Sequence, residues 1–202
     1  MMEQSKKIDF KQIFRSHFTV PRMAYMAIFT ALAFVVTFLE FPIFPAVPFL
    51  KLDFANLFFI LEGFMLGPVE AVVSIALKEL LCLTKSSTAG VGELANFIMS
   101  TSYILIPAVG YRYKKGIKWV VVFLVAGCAM QIAVGLLCNR FINFPLYGGI
   151  FHFDGVAMFQ EVWYYILFFN AIKSAVIGTV SFFVYKPLSK TLKRAEEKFK
   201  HS

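Results

Sequence analysis

Apolar runs long enough to cross a lipid bilayer recur along the chain, and they constrain its fold more than any other feature. The clearest extend from about Met23 to Phe41, from Trp119 to Cys138 and from Phe159 to Tyr185. A bilayer core of about 30 Å needs about 20 apolar helical residues. Hydrophobic residues make up 59% of the chain and charged residues only 16%, whereas a soluble domain averages about 45–50% and about 25%. The sequence therefore predicts an all-α integral membrane protein.

Two shorter apolar runs, at residues 54–66 and 69–83, flank Gly67 and Pro68. Because proline cannot continue a helix and glycine permits a tight turn, this dipeptide predicts a break between two helices. Each run is short for a bilayer, so a tilted helical hairpin and a re-entrant pair both fit the pattern. With a further apolar run from Leu94 to Tyr111, the sequence predicts six transmembrane helices.

The basic residues indicate how such helices would be oriented. Six spans place both termini on one side, and that side then holds 15 of the 20 Lys and Arg residues, including the turn at 112–118. The positive-inside rule puts this side in the cytoplasm. We therefore expect a cytoplasmic N-terminal segment at 1–21, a six-helix membrane domain at 22–187 and a cytoplasmic tail at 188–202. The membrane topology accounts for the net charge of +8, because most basic residues lie in the predicted cytoplasmic segments. No nucleic-acid partner is therefore predicted.

Three segments rich in Pro, Gly, Ser and Asn are predicted to face outward as loops. They comprise residues 42–53, 84–92 and 139–158. The first contains three prolines and is predicted to be extended. The second precedes Glu93, a residue type that suits the first turn of a helix.

Small residues form a stripe along the first predicted helix. Ala27 and Ala31 are four residues apart, which is the spacing at which membrane helices approach closely. The stripe could pack against a neighbouring helix of the same chain. Alternatively, it could be a docking face for another membrane subunit.

The last apolar run carries a polar face. Asn170 and Lys173 are three residues apart and share one side of a helix, with Trp163 two turns earlier on the same side. A lysine near the centre of a membrane helix costs about 2.5–3.5 kcal/mol, so it needs a polar partner. We predict that this face lines a ligand site. The alternative is a polar clamp between helices, with Glu79 or Glu93 as the counter-charge.

Groups that carry catalysis are not assembled in the sequence. His17, His152 and His201 have no partner at metal-ligand spacing on a shared helix. No serine lies in a nucleophile elbow, and the glycine-rich segment from Thr84 to Asn96 lacks the Walker pattern. The sequence therefore predicts neither an enzyme nor an ATPase, and no metal or cofactor. Its amides and aromatic residues suit a ligand with a flat ring and a hydroxyl- or carbonyl-rich edge.

Several motifs stand in the same order as in a known family. Over residues 22–188 the chain resembles the riboflavin-specific substrate-binding (S) component of energy-coupling-factor (ECF) transporters. The most specific stretch is Gly92-Glu93-Leu94-Ala95-Asn96-Phe97 with its Ser86-Ser87-Thr88 lead. The other matching motifs are Phe49-Leu50-Lys51-Leu52-Asp53-Phe54, Gly67-Pro68, Asn139 with Pro145-Leu146-Tyr147, and Asn170 with Lys173.

The resemblance implies a function in vitamin uptake across a bacterial cell membrane. Such a subunit binds riboflavin from outside and delivers it to the cytoplasm with a transmembrane coupling subunit and two cytoplasmic ATPases. Ala27 and Ala31 match the family's coupling surface. FMN or another vitamin as ligand, and a structural membrane protein without transport, remain alternatives. The residues expected at the ligand are Lys51, Leu52 and Asp53 of an outer lid, with Thr88, Asn139, Trp163, Asn170 and Lys173.

Overall fold

The computed structural model describes residues 17–200, apart from the side chains of 192, 193 and 195–200. Most of the predicted N-terminal segment, residues 1–16, therefore lies outside the described part, as do the last two residues of the predicted tail. The described chain is predominantly helical, so the predicted all-α class is confirmed.

The helices follow one another along the chain, and the longest connection, residues 37–54, lies between the first two. They are α1 (Val20–Val36), α2 (Ala55–Met65), α3 (Pro68–Cys82), α4 (Val91–Tyr113), α5 (Ile117–Cys138), α6 (Phe144–Phe151) and α7 (Gly155–Lys200). Short 3-10 turns follow α1 and α3, at Thr37–Leu39 and Leu83–Lys85, and a π-helical turn, Asn139–Asn143, joins α5 to α6. Between α1 and α2, strands β1 (Phe41–Pro42) and β2 (Lys51–Leu52) form an antiparallel pair.

Four stretches within the described residues are long and apolar enough to cross a membrane. They are Val20–Leu39, Val91–Tyr113, Ile117–Phe151 and Gly155–Thr191. By contrast, α2 and α3 have 11 and 15 residues, which correspond to about 17 and 23 Å. These two lengths fall short of a bilayer core of about 30 Å. The α2–α3 hairpin was predicted to provide two of the six membrane spans. Its two helices are each shorter than the bilayer core.

The turn between α2 and α3 is built from the predicted glycine and proline. Gly67 has a φ of +130°, a conformation that favours glycine, and Pro68 is the first residue of α3. Arg112, near the end of α4, donates to the carbonyl oxygen of Leu66. Arg22 of α1 donates to the same oxygen at 3.3 Å. The turn therefore lies at the end of the bundle where α1 begins and α4 ends.

Gly67→Ala is expected to destabilise the fold more than Gly116→Ala. The two glycines have nearly the same φ, +130° and +131°, so alanine introduces similar backbone strain of about 1–3 kcal/mol at each. A Cβ at residue 67 would overlap the Arg112 guanidinium, whereas nothing lies within 4 Å of a Cβ at residue 116. Thermal unfolding of the two variants in detergent measures the difference. Equal melting temperatures would show that the contact with Arg112 does not constrain the turn.

The segment at 139–158 was predicted as a loop, and this prediction was wrong. The chain continues from α5 through the π-helical turn into α6, and only His152–Asp154 separate α6 from α7. Pro145 does not end this path, because it is the second residue of α6 and directly follows the π-helical turn, where the regular α-helical hydrogen-bond pattern is already interrupted. The helical path places the side chains at 139 and 143 one turn apart on a single face.

The small-residue stripe of α1 faces away from the bundle. Ala27 and Ala31 are exposed, whereas α1 buries Met26, Thr30 and Ala33 against α2 and α3. Packing of the stripe against a helix of the same chain, one of the two interpretations from the sequence, was therefore wrong.

Two apolar clusters hold the helices together. The larger joins α1–α5 and α7, and it contains Phe64, Tyr111 and Tyr185, whose ring centroids lie 4.6–5.8 Å apart. The smaller packs the segment before α2 and the start of α6 against α7, around Phe144 and Ile166. The smaller cluster thereby fixes the segment that ends in Asp53 beside the polar face of α7.

Candidate functional site

A cavity of about 240 Å³ lies among polar side chains from several helices. Its walls come from the segments before α2 and α4, from α3, α4, α5 and α7, and from the π-helical turn and α6. The residues predicted from the sequence that it brings together are Lys51, Asp53, Thr88, Asn139, Asn170 and Lys173.

Lys173 and Asp53 form an ion pair across the cavity wall. The Lys173 Nζ donates to the Asp53 Oδ2 at 2.8 Å, and both residues are more than nine-tenths buried. The other carboxylate oxygen of Asp53 accepts the Ala55 N–H at 2.8 Å, at the start of α2. The polar clamp considered from the sequence therefore exists, but its predicted counter-charges, Glu79 and Glu93, were wrong. Asp53 provides the charge instead.

The charge on Asp53 is stabilised by its surroundings. Asp53 lies in the segment before α2, outside the membrane-length helices. Burial opposes its ionisation, but attraction to Lys173 and then to Lys78 outweighs burial and lowers the pKa of Asp53 from 3.8 to about 2. The carboxylate is therefore ionised at neutral pH and neutralises Lys173.

A second buried pair lines the same cavity. Lys78 Nζ donates to Glu79 Oε1 at 2.8 Å, and both residues belong to α3. The second oxygen of Glu79 is buried without a hydrogen-bond partner among the described residues. Nearer the surface, Lys51 donates to Glu40 at 2.9 Å.

Side-chain amides form another part of the lining. Asn170 Nδ2 donates to the Ile166 carbonyl oxygen at 2.9 Å, and Asn139 Nδ2 donates to the Gly135 carbonyl oxygen at 2.7 Å. A Cβ at Gly135 would come within 2.7 Å of the Asn170 amide, so the glycine permits α5 and α7 to approach closely here. Within the described chain, the Asn170 Oδ1 is buried without a partner.

The segment before α4 is anchored by Glu93. Its Oε2 accepts from the Ser86 hydroxyl at 2.9 Å and from the Thr88 hydroxyl at 3.0 Å. The Thr88 hydroxyl oxygen in turn accepts the Gly92 N–H at 3.2 Å. Glu93 lies in the first turn of α4, as predicted. These bonds hold Thr88 at the cavity wall. The Thr88 hydroxyl group is used in hydrogen bonds within the segment and with Glu93.

Two predicted residues lie outside the lining. Leu52 belongs to the same paired strand as Lys51, but its side chain is buried in the smaller apolar cluster. Trp163 is 47% exposed on α7. At this level α7 buries the side of Val162 and Ile166, because α6 and the segment before α2 cover that side. The placement of Trp163 beside Asn170 over the cavity was therefore wrong, although the two share a helix face by spacing.

Sequence reasoning missed two buried amides that line the cavity. Gln131 and Asn143 are 2% and 6% exposed, and each has an amide oxygen without a partner in the part of the chain that the structure describes. Gln131 interrupts the apolar run of α5, which was a usable signal. Asn143 follows Asn139 by four residues, but this spacing carries meaning only if the segment is helical.

The fold and the cavity define an integral membrane protein that encloses a charge-balanced polar site between its helices. Residues 21–188 match the family described as "ECF transporter, substrate-specific component". The chain belongs to this family. The family resemblance found in the sequence is thus confirmed, as is the predicted location in a bacterial membrane.

Relatives and a solved structure agree with this assignment. The chain is 34% identical to "Riboflavin transporter RibU" of Staphylococcus aureus over 175 residues, which cover 86% of this chain and 93% of that protein. It is 32% identical to "Riboflavin transporter FmnP" of Bacillus subtilis over 168 residues, 80% of this chain and 88% of the relative. A solved structure of the S component of a bacterial ECF transporter matches with a TM-score of 0.73 and 31% identity, covering 86% of this chain and 98% of the other.

Proposed function

We propose that this chain is the substrate-binding subunit of an ATP-driven vitamin importer and that its ligand is riboflavin. The observation that carries the proposal is the polar cavity at which four buried residues, Asp53, Asn139, Asn170 and Lys173, converge. Similarity to two proteins named as riboflavin transporters supports the choice of ligand. Binding, rather than catalysis, is the role proposed for these side chains.

The lining suits both parts of a riboflavin molecule. Phe49, Tyr147 and Phe169 contribute aromatic surface on which a flat ring can stack. Asn139 and Asn170 contribute amides that can exchange hydrogen bonds with ring carbonyls, the ring N–H or the ribityl hydroxyls.

Riboflavin fits this cavity better than its phosphorylated form, FMN. A phosphate group is best bound by cations that are free to contact it. The four lysines that line this cavity are balanced by four carboxylates, so the lining offers a phosphate no excess of positive charge, and each lysine donates to an oxygen of the protein. These bonds join Lys51 to Glu40, Lys78 to Glu79, Lys173 to Asp53, and Lys85 to the Thr37 carbonyl oxygen.

We further propose that all six predicted spans traverse the bilayer or most of it, with both termini in the cytoplasm. The α2–α3 turn lies beside Arg22 and Arg112, at the end of the bundle that carries the basic turn 112–118. The positive-inside rule makes that end cytoplasmic. The Asp53 end of α2 and the cavity then face outward. Residues 1–21 and 188–202 would be the cytoplasmic segments, and 22–187 the membrane domain.

Uptake requires partners that this chain does not supply. We propose a transmembrane coupling subunit that docks on the exposed stripe of Ala27 and Ala31, and two cytoplasmic ATPases bound to that subunit. Exposed small residues in a membrane helix permit close approach by a partner helix. The import direction follows from the outward-facing cavity.

A thermal-shift panel on the purified chain tests the ligand. Riboflavin at about 100 times its dissociation constant is expected to stabilise the folded state by about 2.7 kcal/mol, because it binds only that state. FMN, thiamine and pantothenate at the same concentration should give smaller shifts. A larger shift with one of these would assign the site to that compound. If none of the four raised the melting temperature, a structural membrane protein would be the better description.

A further inference from the structure

Two linked hydrogen bonds, from Asn139 to the Gly135 carbonyl oxygen and from Asn143 to Asn139, fix the orientation of the Asn143 side-chain amide. The carbonyl oxygen of Gly135 can only accept, so the Asn139 group that contacts it at 2.7 Å is the Nδ2 donor. This directs the Asn139 Oδ1 toward Asn143, whose Nδ2 donates to it at 3.0 Å. The Asn143 amide is thereby oriented by the Asn139 side chain one turn earlier and by the Gly135 carbonyl group two turns earlier. Its donor group is engaged and its oxygen is not.

The described part of the protein supplies no hydrogen-bond donor to the side-chain oxygen of Asn143. Asn143 lines the cavity and is 6% exposed, and its Oδ1 has no hydrogen-bond partner among residues 17–200. Rotating the amide to exchange its oxygen and nitrogen would place two acceptors together at Asn139, so the chain of bonds opposes that change. Burial of an acceptor without a donor is unfavourable. A donor from a molecule in the cavity would remove this penalty.

We propose that Asn143 is a ligand-recognition residue whose side-chain oxygen accepts a hydrogen bond from an N–H or O–H group of the bound molecule, with Asn139 as its positioning residue. This inference rests on the proposed function. It adds a residue that selects among flavins by their donors. In riboflavin such donors are the imide N–H of the ring and the hydroxyls of the ribityl chain. The residue favours ligands that keep the relevant donor over analogues that lack it.

The test measures dissociation constants of three flavins by fluorescence quenching, for the full-length chain and for Asn143→Ala. The flavins are riboflavin, 3-methylriboflavin, which lacks the ring N–H, and lumiflavin, which lacks the hydroxyl chain. Alanine removes the acceptor and leaves room for the added methyl group. Asn56→Ala is the matched control, because Asn56 is also buried but does not line the cavity.

The informative quantity is the ratio of the analogue's dissociation constant to that of riboflavin. In Asn143→Ala, one of the two ratios is expected to fall by about tenfold or more, while both stay unchanged in Asn56→Ala. A fall for 3-methylriboflavin identifies the ring N–H as the donor, and a fall for lumiflavin identifies a ribityl hydroxyl. Unchanged ratios, even with weaker binding overall, would overturn the role of Asn143. Failure of the unaltered chain to bind any of the three flavins would instead overturn the proposed function, and this inference with it.

Discussion

Replacing Lys173 with methionine is expected to lower the free energy of unfolding by about 3–5 kcal/mol and to abolish tight riboflavin binding. The substitution leaves the Asp53 carboxylate buried and without its 2.8 Å partner. Removing one member of a buried ion pair is costly because the remaining charge has lost both water and its counter-ion. The melting temperature in detergent and a riboflavin titration measure the two effects.

A double variant distinguishes the effect of the ion pair on stability from the effect of Lys173 on ligand binding. In Lys173→Met with Asp53→Asn, no buried charge is left alone, and the residue-53 side chain keeps an oxygen for the Ala55 N–H. Stability should therefore recover most of its loss, because a buried ion pair can often be replaced by neutral groups at little cost. Riboflavin binding should stay weak, because the double variant still lacks the Lys173 ammonium, an N–H donor at the cavity wall that oxygens of the ligand can use. If the single and double variants were equally unstable, Asp53 would not be the group that Lys173 neutralises.

Replacing both Ala27 and Ala31 with leucine is expected to abolish vitamin uptake in cells and to leave riboflavin binding by the purified chain unchanged. Both residues are exposed on α1, and neither lines the cavity. Leucine side chains would keep a partner helix from the close approach that small residues permit. Uptake of radiolabelled riboflavin and the dissociation constant are the two readouts.

The matched control for this prediction places the same change on another exposed surface. Ala126 and Ala129 of α5 are also exposed alanines in a membrane-length helix. Substituting both with leucine should leave uptake and binding unchanged. Normal uptake with leucine at 27 and 31 would remove the docking face from the proposal, while loss of uptake in both variants would indicate a general effect of added bulk.

Much of the architecture follows from local sequence. Apolar runs and the glycine–proline turn predict the helices and the α2–α3 hairpin, because periodicity and backbone freedom act over a few residues. The spacing of Asn170 and Lys173 similarly indicates a polar face. The length of α2 and α3 did not follow as clearly, since short apolar runs fit either a spanning or a re-entrant helix.

The errors concern contacts between distant parts of the chain. Asp53 is 120 residues from Lys173, and nothing in either local sequence selects it over Glu79 or Glu93 as the partner. Helix spacing assigned Trp163 to the face of Asn170, but the position of α6 decides which side of α7 is covered there. Glycine and proline suggested a loop at 139–158, although Pro145 lies where a helix tolerates it. Because the segment was predicted as a loop, the four-residue spacing of Asn139 and Asn143 was not recognised as placing both on one helix face.

The most direct test of the proposed function is a titration of riboflavin fluorescence with the purified full-length chain in detergent. The arrangement of Asp53, Asn170 and Lys173 around one polar cavity predicts saturable quenching at about micromolar protein, and loss of that quenching in Lys173→Met with Asp53→Asn. Riboflavin fluorescence that stays unchanged with the unaltered chain at this concentration would contradict the assignment of the cavity to a flavin.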